Sequence, residues 1–191
     1  MDLNVAMARV SANSGDVCGD AAHFWIHGPE TVLAIADGLG HGADAAQAAN
    51  AAMNFIAEHL DLDLIALFQE LNAAMERTRG AAVAVARVRP DLARIEYAAI
   101  GNTRAAVFGW SSTRLDAEPG IVGTRRRRLR PLNIPFRAGD CLALWTDGLR
   151  ETLKIDYGAT TNLDALAATL MTEYATGDDD RCVILARRGG S

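Results

Sequence analysis

The spacing of apolar positions changes period along the chain, and each change marks an element. Leu3 to Ser11 alternates loosely, with Leu3, Val5, Met7 and Arg9 on one side, and reads as a first strand. Asp20 to His27 and Thr31 to Asp37 are two further strand-like runs. The Gly28-Pro29-Glu30 segment between them carries turn residues, so the pattern predicts a β-hairpin. From Ala43 the period turns helical, with Ala49, Met53, Ile56 and Leu60 on one stripe. Asp61 to Asp63 interrupts it, and Leu64, Phe68, Leu71 and Met75 repeat the spacing up to Arg79-Gly80. Two consecutive helices are expected here.

After Gly80 the period falls to two. Ala81 to Arg89, Leu92 to Ile100 and Thr103 to Trp110 are strand-like, separated by the turn dipeptides Pro90-Asp91 and Gly101-Asn102. Links this short make neighbouring strands antiparallel. Ser111 to Ala138, with Pro119, Gly120, Gly123, Pro131 and Pro135, reads as irregular. Cys141 to Thr146 is nearly all apolar, as in a central strand covered on both faces. Asn162 to Thr176 is a third helix with Leu163, Leu166, Leu170 and Tyr174 inward, and Arg181 to Arg187 a last strand. Seven or more strands with two helices early and one late favour antiparallel sheet with helices packed outside. The βαβ alternation of a doubly wound parallel sheet is missing across Ala81 to Trp110.

With 191 residues, half of them hydrophobic, the chain suits a single domain over 1–191 that needs no disulfide. Cys18, Cys141 and Cys182 are widely spaced and form no CxxC pair, so reduced thiols and a cytoplasmic location are expected. Asp2, Asn4 and Arg9 break up the apolar start, which reads as neither a signal peptide nor a membrane span. A net charge of -5 argues against nonspecific nucleic-acid binding. Arg125, Arg126, Arg127, Arg128 and Arg130 form one basic cluster, either a solvated loop or a local surface for an acidic partner or nucleic acid.

Candidate chemistry lies where apolar runs end in carboxylates. Ala34-Ile35-Ala36 runs into Asp37 and then Gly38, Gly40 and Gly42. Antiparallel pairing about Gly28-Pro29 sets Asp20 opposite Asp37, where like charges repel unless something intervenes. A divalent cation is the simplest remedy, whereas a register one residue off would send the two side chains to different faces. Asp147-Gly148 repeats the motif after Cys141 to Thr146, and Asp178-Asp179-Asp180 precedes the last strand. Asp20, Asp37, Asp147 and Asp179 thus all fall at strand ends, where they either share one cleft or cap turns and helices. Oxygen-only donors select Mg²⁺ or Mn²⁺ over zinc. His23, His27, His41 and His59 show no zinc spacing and read as structural or surface residues.

Several motifs, taken in order, resemble those of the PPM-type metal-dependent Ser/Thr protein phosphatases, in particular the short bacterial SpoIIE/RsbX-like branch. They are Cys18-Gly19-Asp20, Ile35 to Gly42, Arg79-Gly80-Ala81, Gly101-Asn102-Thr103-Arg104, Trp145 to Leu149 and Asp179-Asp180-Arg181-Cys182. The resemblance implies an α+β fold, an αββα sandwich of two antiparallel sheets flanked by helices. It implies two Mn²⁺ or Mg²⁺ ions, with Asp37 bridging both, the Gly38 carbonyl and Asp20 helping to hold one, and Asp147 with Asp179 the other. Asp37 and Asp147 are then the catalytic pair. It also implies a phosphoserine or phosphothreonine substrate on a signalling partner, with phosphorylated STAS-domain stressosome proteins indicated, and no nucleic-acid or membrane partner. Cys182 departs from the usual Thr of the last motif, His41 does not follow the Asp-Gly pair directly, and no phosphate-binding arginine is assigned. Two rival readings are an inactive phosphoprotein-binding module of the same fold and a cysteine phosphatase using Cys182 and Arg188. The apolar residues Val183 to Ala186 lack the glycines that a phosphate-cradling loop needs.

Overall fold

A computed structural model describes residues 2–13, 15–124, 128–156 and 162–189. Arg125, Arg126 and Arg127 of the basic cluster lie outside these residues. Among the described residues, one five-stranded antiparallel sheet contains β1 (Leu3–Val10), β6 (Arg104–Phe108), β7 (Thr113–Leu115), β9 (Cys141–Trp145) and β10 (Arg181–Arg188), in the order β1-β10-β9-β6-β7. The other contains β2 (Asp20–His27), β3 (Glu30–Gly38), β4 (Ala81–Arg89), β5 (Arg94–Ile100) and β8 (Leu132–Pro135), in the order β2-β3-β4-β5-β8. Helices α1 (Gly42–Glu58) and α2 (Leu64–Ala74) cover the second sheet, and α3 (Leu163–Glu173) covers the first. This is the expected αββα sandwich. Among the described residues no helix is long and apolar enough to cross a membrane.

Strand periodicity explains the three apolar layers. On β3, Leu33 and Ile35 point into the space between the sheets, while Val32, Ala34 and Ala36 face the helices. On β9, Leu142 and Leu144 take the inter-sheet side, and Cys141, Ala143 and Trp145 the side of α3. Both strands are covered on two faces, which is why their sequences read as continuous apolar runs instead of alternating. The inner face of α1 is built from Ala45, Ala48, Ala49 and Ala52, all fully buried, so the helix approaches the sheet closely. Gly38 takes this to its limit, since a β-carbon there would lie 1.9 Å from the Ala45 carbonyl oxygen.

Three boundaries differ from the periodicity. Helix α2 ends at Ala74 instead of continuing to Arg79, because residues 75–80 form turns in which Thr78 donates its hydroxyl to the Met75 carbonyl and accepts from the Gly80 amide. Leu92 belongs to a short 3₁₀ turn, Pro90–Leu92, that closes onto Ala93 in the left-handed region. Ser111 to Ala138, expected to be irregular, holds β7 and β8. Both are short sheet-edge strands with mostly exposed residues, so neither carries a strong apolar alternation.

Candidate functional site

The hairpin register is the predicted one: Asp20 pairs with Asp37 across β2 and β3. From there β3 ends at Gly38, and the amide of Gly38 donates to the Gly19 carbonyl at 3.1 Å. Leu39 then donates its amide to the Gly80 carbonyl at 3.0 Å, which ties the loop before α1 to the start of β4. The other sheet brings its own strand ends to the same rim. Asp147 follows β9, and Asp179 lies just before β10. A β-carbon on Gly148 would sit 2.0 Å from the Asp180 carbonyl oxygen, so glycine there permits the two corners to close together.

Asp37, Asp147 and Asp179 line one open cleft of about 520 Å³, with Leu39, Gly40, Ala82, Gly101, Asn102, Pro119, Gly120 and Ile121 as the rest of its described wall. Asp20 is not on that wall. It lies behind, 3% exposed, and its Oδ2 accepts a 2.6 Å hydrogen bond from the Thr146 hydroxyl. Thr146 in turn accepts from the Cys182 amide at 2.9 Å, so one fully buried hydroxyl links both sheets at the rim. Asn102 donates its side-chain amide to Asp147 Oδ2 at 2.6 Å. Asp180 faces away from the cleft chemistry: its carboxylate accepts from the Ala12 and Gly19 amides at 2.8 and 2.7 Å and fastens the loop before β2.

The electrostatics follow from packing like charges together. Burial raises the Asp20 carboxyl to about 8, against the Thr146 hydrogen bond and with help from the Asp37 charge. Burial also raises Asp37 to about 7, with Asp147 and Asp179 adding repulsion. Asp179 is pushed up by burial and then by Asp147. No basic side chain is among the described residues lining the cleft. Nor do three or more His, Cys, Asp or Glu side chains, among the described residues, close round a single point to hold an ion. Asp37, Asp147 and Asp179 line the cleft, with Asp20 behind it.

Other candidates fall elsewhere. Cys182 sits inside β10, 1% exposed between the sheets, and burial holds its thiol well above the ordinary range. Arg188 ends the same strand and donates to the Phe136 carbonyl at 2.6 Å. No loop joins them, which removes the cysteine-phosphatase reading. His41 is the N-cap residue of α1 with no side-chain cap bond, His27 meets Asp61 at 3.0 Å, and His59 Nδ1 is 2.8 Å from the Phe55 carbonyl. The sequence pattern assigns no role to Thr146 or Asn102. The available signals were a hydroxyl closing an apolar strand just before Asp147, and an amide following a turn glycine.

Comparison with known proteins agrees with this geometry. The stage II sporulation protein E (SpoIIE) family matches residues 27–189. Phosphoserine phosphatase RsbX of Bacillus subtilis (strain 168) is 24% identical over 149 residues, covering 77% of this chain and 75% of that protein. A structure from work on the bacterial stressosome, as a modular system adapted to control secondary messenger signalling, superposes with a TM-score of 0.90 at 27% identity, covering 98% of this chain and 100% of the other. RsbX in complex with magnesium gives a TM-score of 0.85 at 20% identity, over 96% of this chain and 94% of that one. With a family match over most of its length and the sandwich fold to go with it, the chain belongs to the SpoIIE family of PP2C-type phosphatases.

Proposed function

We propose that this phosphatase is a divalent-cation-dependent enzyme acting on phosphoserine or phosphothreonine of a signalling partner, with phosphorylated STAS-domain proteins of a stressosome as its substrates. One observation carries the reading: Asp37, Asp147 and Asp179 face one cleft from two sheets, with Asp20 locked behind Asp37. The likeness to the phosphoserine phosphatase RsbX, and to a structure from stressosome work, supports the substrate class and partner.

The residues fit a hard divalent ion by donor chemistry. All the proposed ligands are oxygens, burial and mutual repulsion raise Asp20 and Asp37 so that a cation would favour their charged forms, and no described lining residue supplies a positive charge. Asp37, Asp147, Asp179 and the Gly38 carbonyl would hold the ions, two in number, with Asp20 helping from behind Asp37. The chemistry such ions supply is acidification of a water molecule and neutralisation of charge on the phosphoryl oxygens. The chain's own groups position that chemistry. Thr146 fixes Asp20 from behind, and Asn102 holds one oxygen of Asp147. Leu39, Pro119 and Ile121 give the cleft an apolar margin that limits water around the ester. No Ser, Thr, Cys or His is among the described lining residues, and with the Asp37, Asp147 and Asp179 carboxylates taken up as cation ligands the reading leaves water as the nucleophile.

The test is hydrolysis of phosphorylated STAS-domain proteins, set against unrelated phosphoproteins, with Mn²⁺, with Mg²⁺ and with EDTA. Metal-dependent release of phosphate, fastest from the STAS proteins, is expected. Equal rates on all phosphoproteins would remove the partner assignment, and no release from any would remove the enzymatic one.

A further inference from the structure

Among the described residues the cleft wall lacks a cation of its own, yet a phosphate monoester brings up to two negative charges into it. One arginine stands at its edge. Arg79 immediately precedes Gly80, whose carbonyl accepts from Leu39, and β4 then pairs Ala81 with Gly38. Gly40 lines the cleft, and a β-carbon placed on it would lie 3.2 Å from Arg79 Nη1. The guanidinium therefore lies against the cleft wall. Its Nη2 meets Asp44 Oδ2, in the first turn of α1, at 2.5 Å. Both side chains are at least half exposed, at 51% and 60%.

Other arginines of the same rim have backbone partners. Arg9 donates to the Asp20 carbonyl, Arg104 to the Leu149 carbonyl and Arg181 to the Gly177 carbonyl. Arg79 is held by a carboxylate in a solvent-exposed pair, a contact of little net strength that a competing anion can exchange. A guanidinium presents two parallel N–H donors, the geometry that matches phosphoryl oxygens.

We propose that Arg79 is the substrate-binding residue for the phosphoryl group, parked on Asp44 when the cleft is empty and transferred to a non-bridging phosphoryl oxygen when a phosphate ester enters. The assignment rests on the phosphatase reading of the cleft. It also gives Asp44 a role: that carboxylate holds the guanidinium at the rim and competes with substrate for it. Gly40 leaves the room that the guanidinium occupies, and any side chain there would crowd it.

The experiment compares wild type with Arg79→Ala, Arg79→Lys and Asp44→Asn, using Mn²⁺-supported hydrolysis of a phosphopeptide, calorimetric binding of inorganic phosphate, and calorimetric binding of Mn²⁺ alone. Losing a charge-assisted hydrogen bond predicts that Arg79→Ala raises KM and weakens phosphate binding roughly ten- to hundredfold. Its Mn²⁺ affinity stays at the wild-type value, and its loss in kcat is smaller than its rise in KM. Arg79→Lys recovers part of the phosphate affinity as a point charge. Asp44→Asn lowers KM by removing the competing carboxylate. Unchanged phosphate affinity in Arg79→Ala overturns the proposal, and so does a parallel fall in Mn²⁺ affinity, which would mark a structural defect. If wild type hydrolyses no ester, the phosphatase reading fails by itself, and the phosphate isotherms still decide whether Arg79 binds the anion.

Discussion

The two halves of the carboxylate rim are built differently. Asp20 and Asp37 sit on paired strands of one sheet, in a register set by a tight turn, with Asp20 buried and locked by Thr146. Asp147 and Asp179 sit on segments beside β9 and β10 of the other sheet, and Asp147 is steadied by Asn102, an exposed residue. Geometry on the first side is therefore imposed by the core, and desolvation is its cost. On the second side it depends on surface segments brought together at Gly148. Loss of the buried hydrogen bonds behind the first half should affect both folding and activity, whereas damage to the second should affect activity with little change in stability.

The largest effect is expected at Asp37, the member of the first half that faces the cleft beside Asp147 and Asp179. Asp37→Asn keeps the shape and removes the charge, so turnover should fall by more than the roughly hundredfold that loss of a supporting residue costs. Thermal unfolding in EDTA should show that the fold survives, at equal or higher midpoint, because one of several crowded like charges is gone.

Thr146→Val tests the buried half. It strips a donor from Asp20 and an acceptor from the Cys182 amide, both inside the protein. Stability should drop by about 1–3 kcal/mol in denaturant titration, the usual cost of leaving buried polar groups unpaired. Turnover should fall roughly ten- to hundredfold as Asp20 loses its orientation.

The metal-free chain should also respond to pH through the same half. Asp20 and Asp37 have carboxyls raised to about 8 and about 7 from an ordinary 3.8. Stability from their neutral forms is complete below the ordinary value and is lost as pH rises through 7 to 8. In EDTA the unfolding midpoint should therefore decline across that window, less so in Asp37→Asn, and a midpoint that climbs there would contradict the burial assigned to these groups.

The smallest effect is expected at Asn102. Asn102→Ala removes one hydrogen bond to Asp147 at an exposed position, so turnover should fall by roughly tenfold. The unfolding midpoint should stay near wild type, and a loss of stability as large as that of Thr146→Val would erase the distinction between the halves.

The same difference separates what was legible in the sequence from what was not. The Asp20–Asp37 pairing followed from turn residues and strand period, because in a hairpin local chemistry sets the register. The meeting of Asp147 and Asp179 with that pair came from a family resemblance, since no local rule says which strand ends of two different sheets share a rim. Thr146 was invisible for a related reason: its partners, Asp20 and Cys182, lie 126 and 36 positions away. Strands β7 and β8 escaped because edge strands with exposed residues carry little apolar signal. In the sequence Arg79 stands out only as part of an Arg-Gly motif, and its position against Gly40 comes from the fold.

The most direct test of the central claim is hydrolysis of a phosphoserine peptide by the purified chain after exhaustive chelation, followed by stepwise addition of Mn²⁺, with Asp37→Asn in parallel. A cleft that works through carboxylate-held cations predicts no turnover after chelation, recovery with added Mn²⁺ in wild type, and no recovery to that level in Asp37→Asn. Full turnover in the chelated wild type, or wild-type recovery in Asp37→Asn, would contradict it.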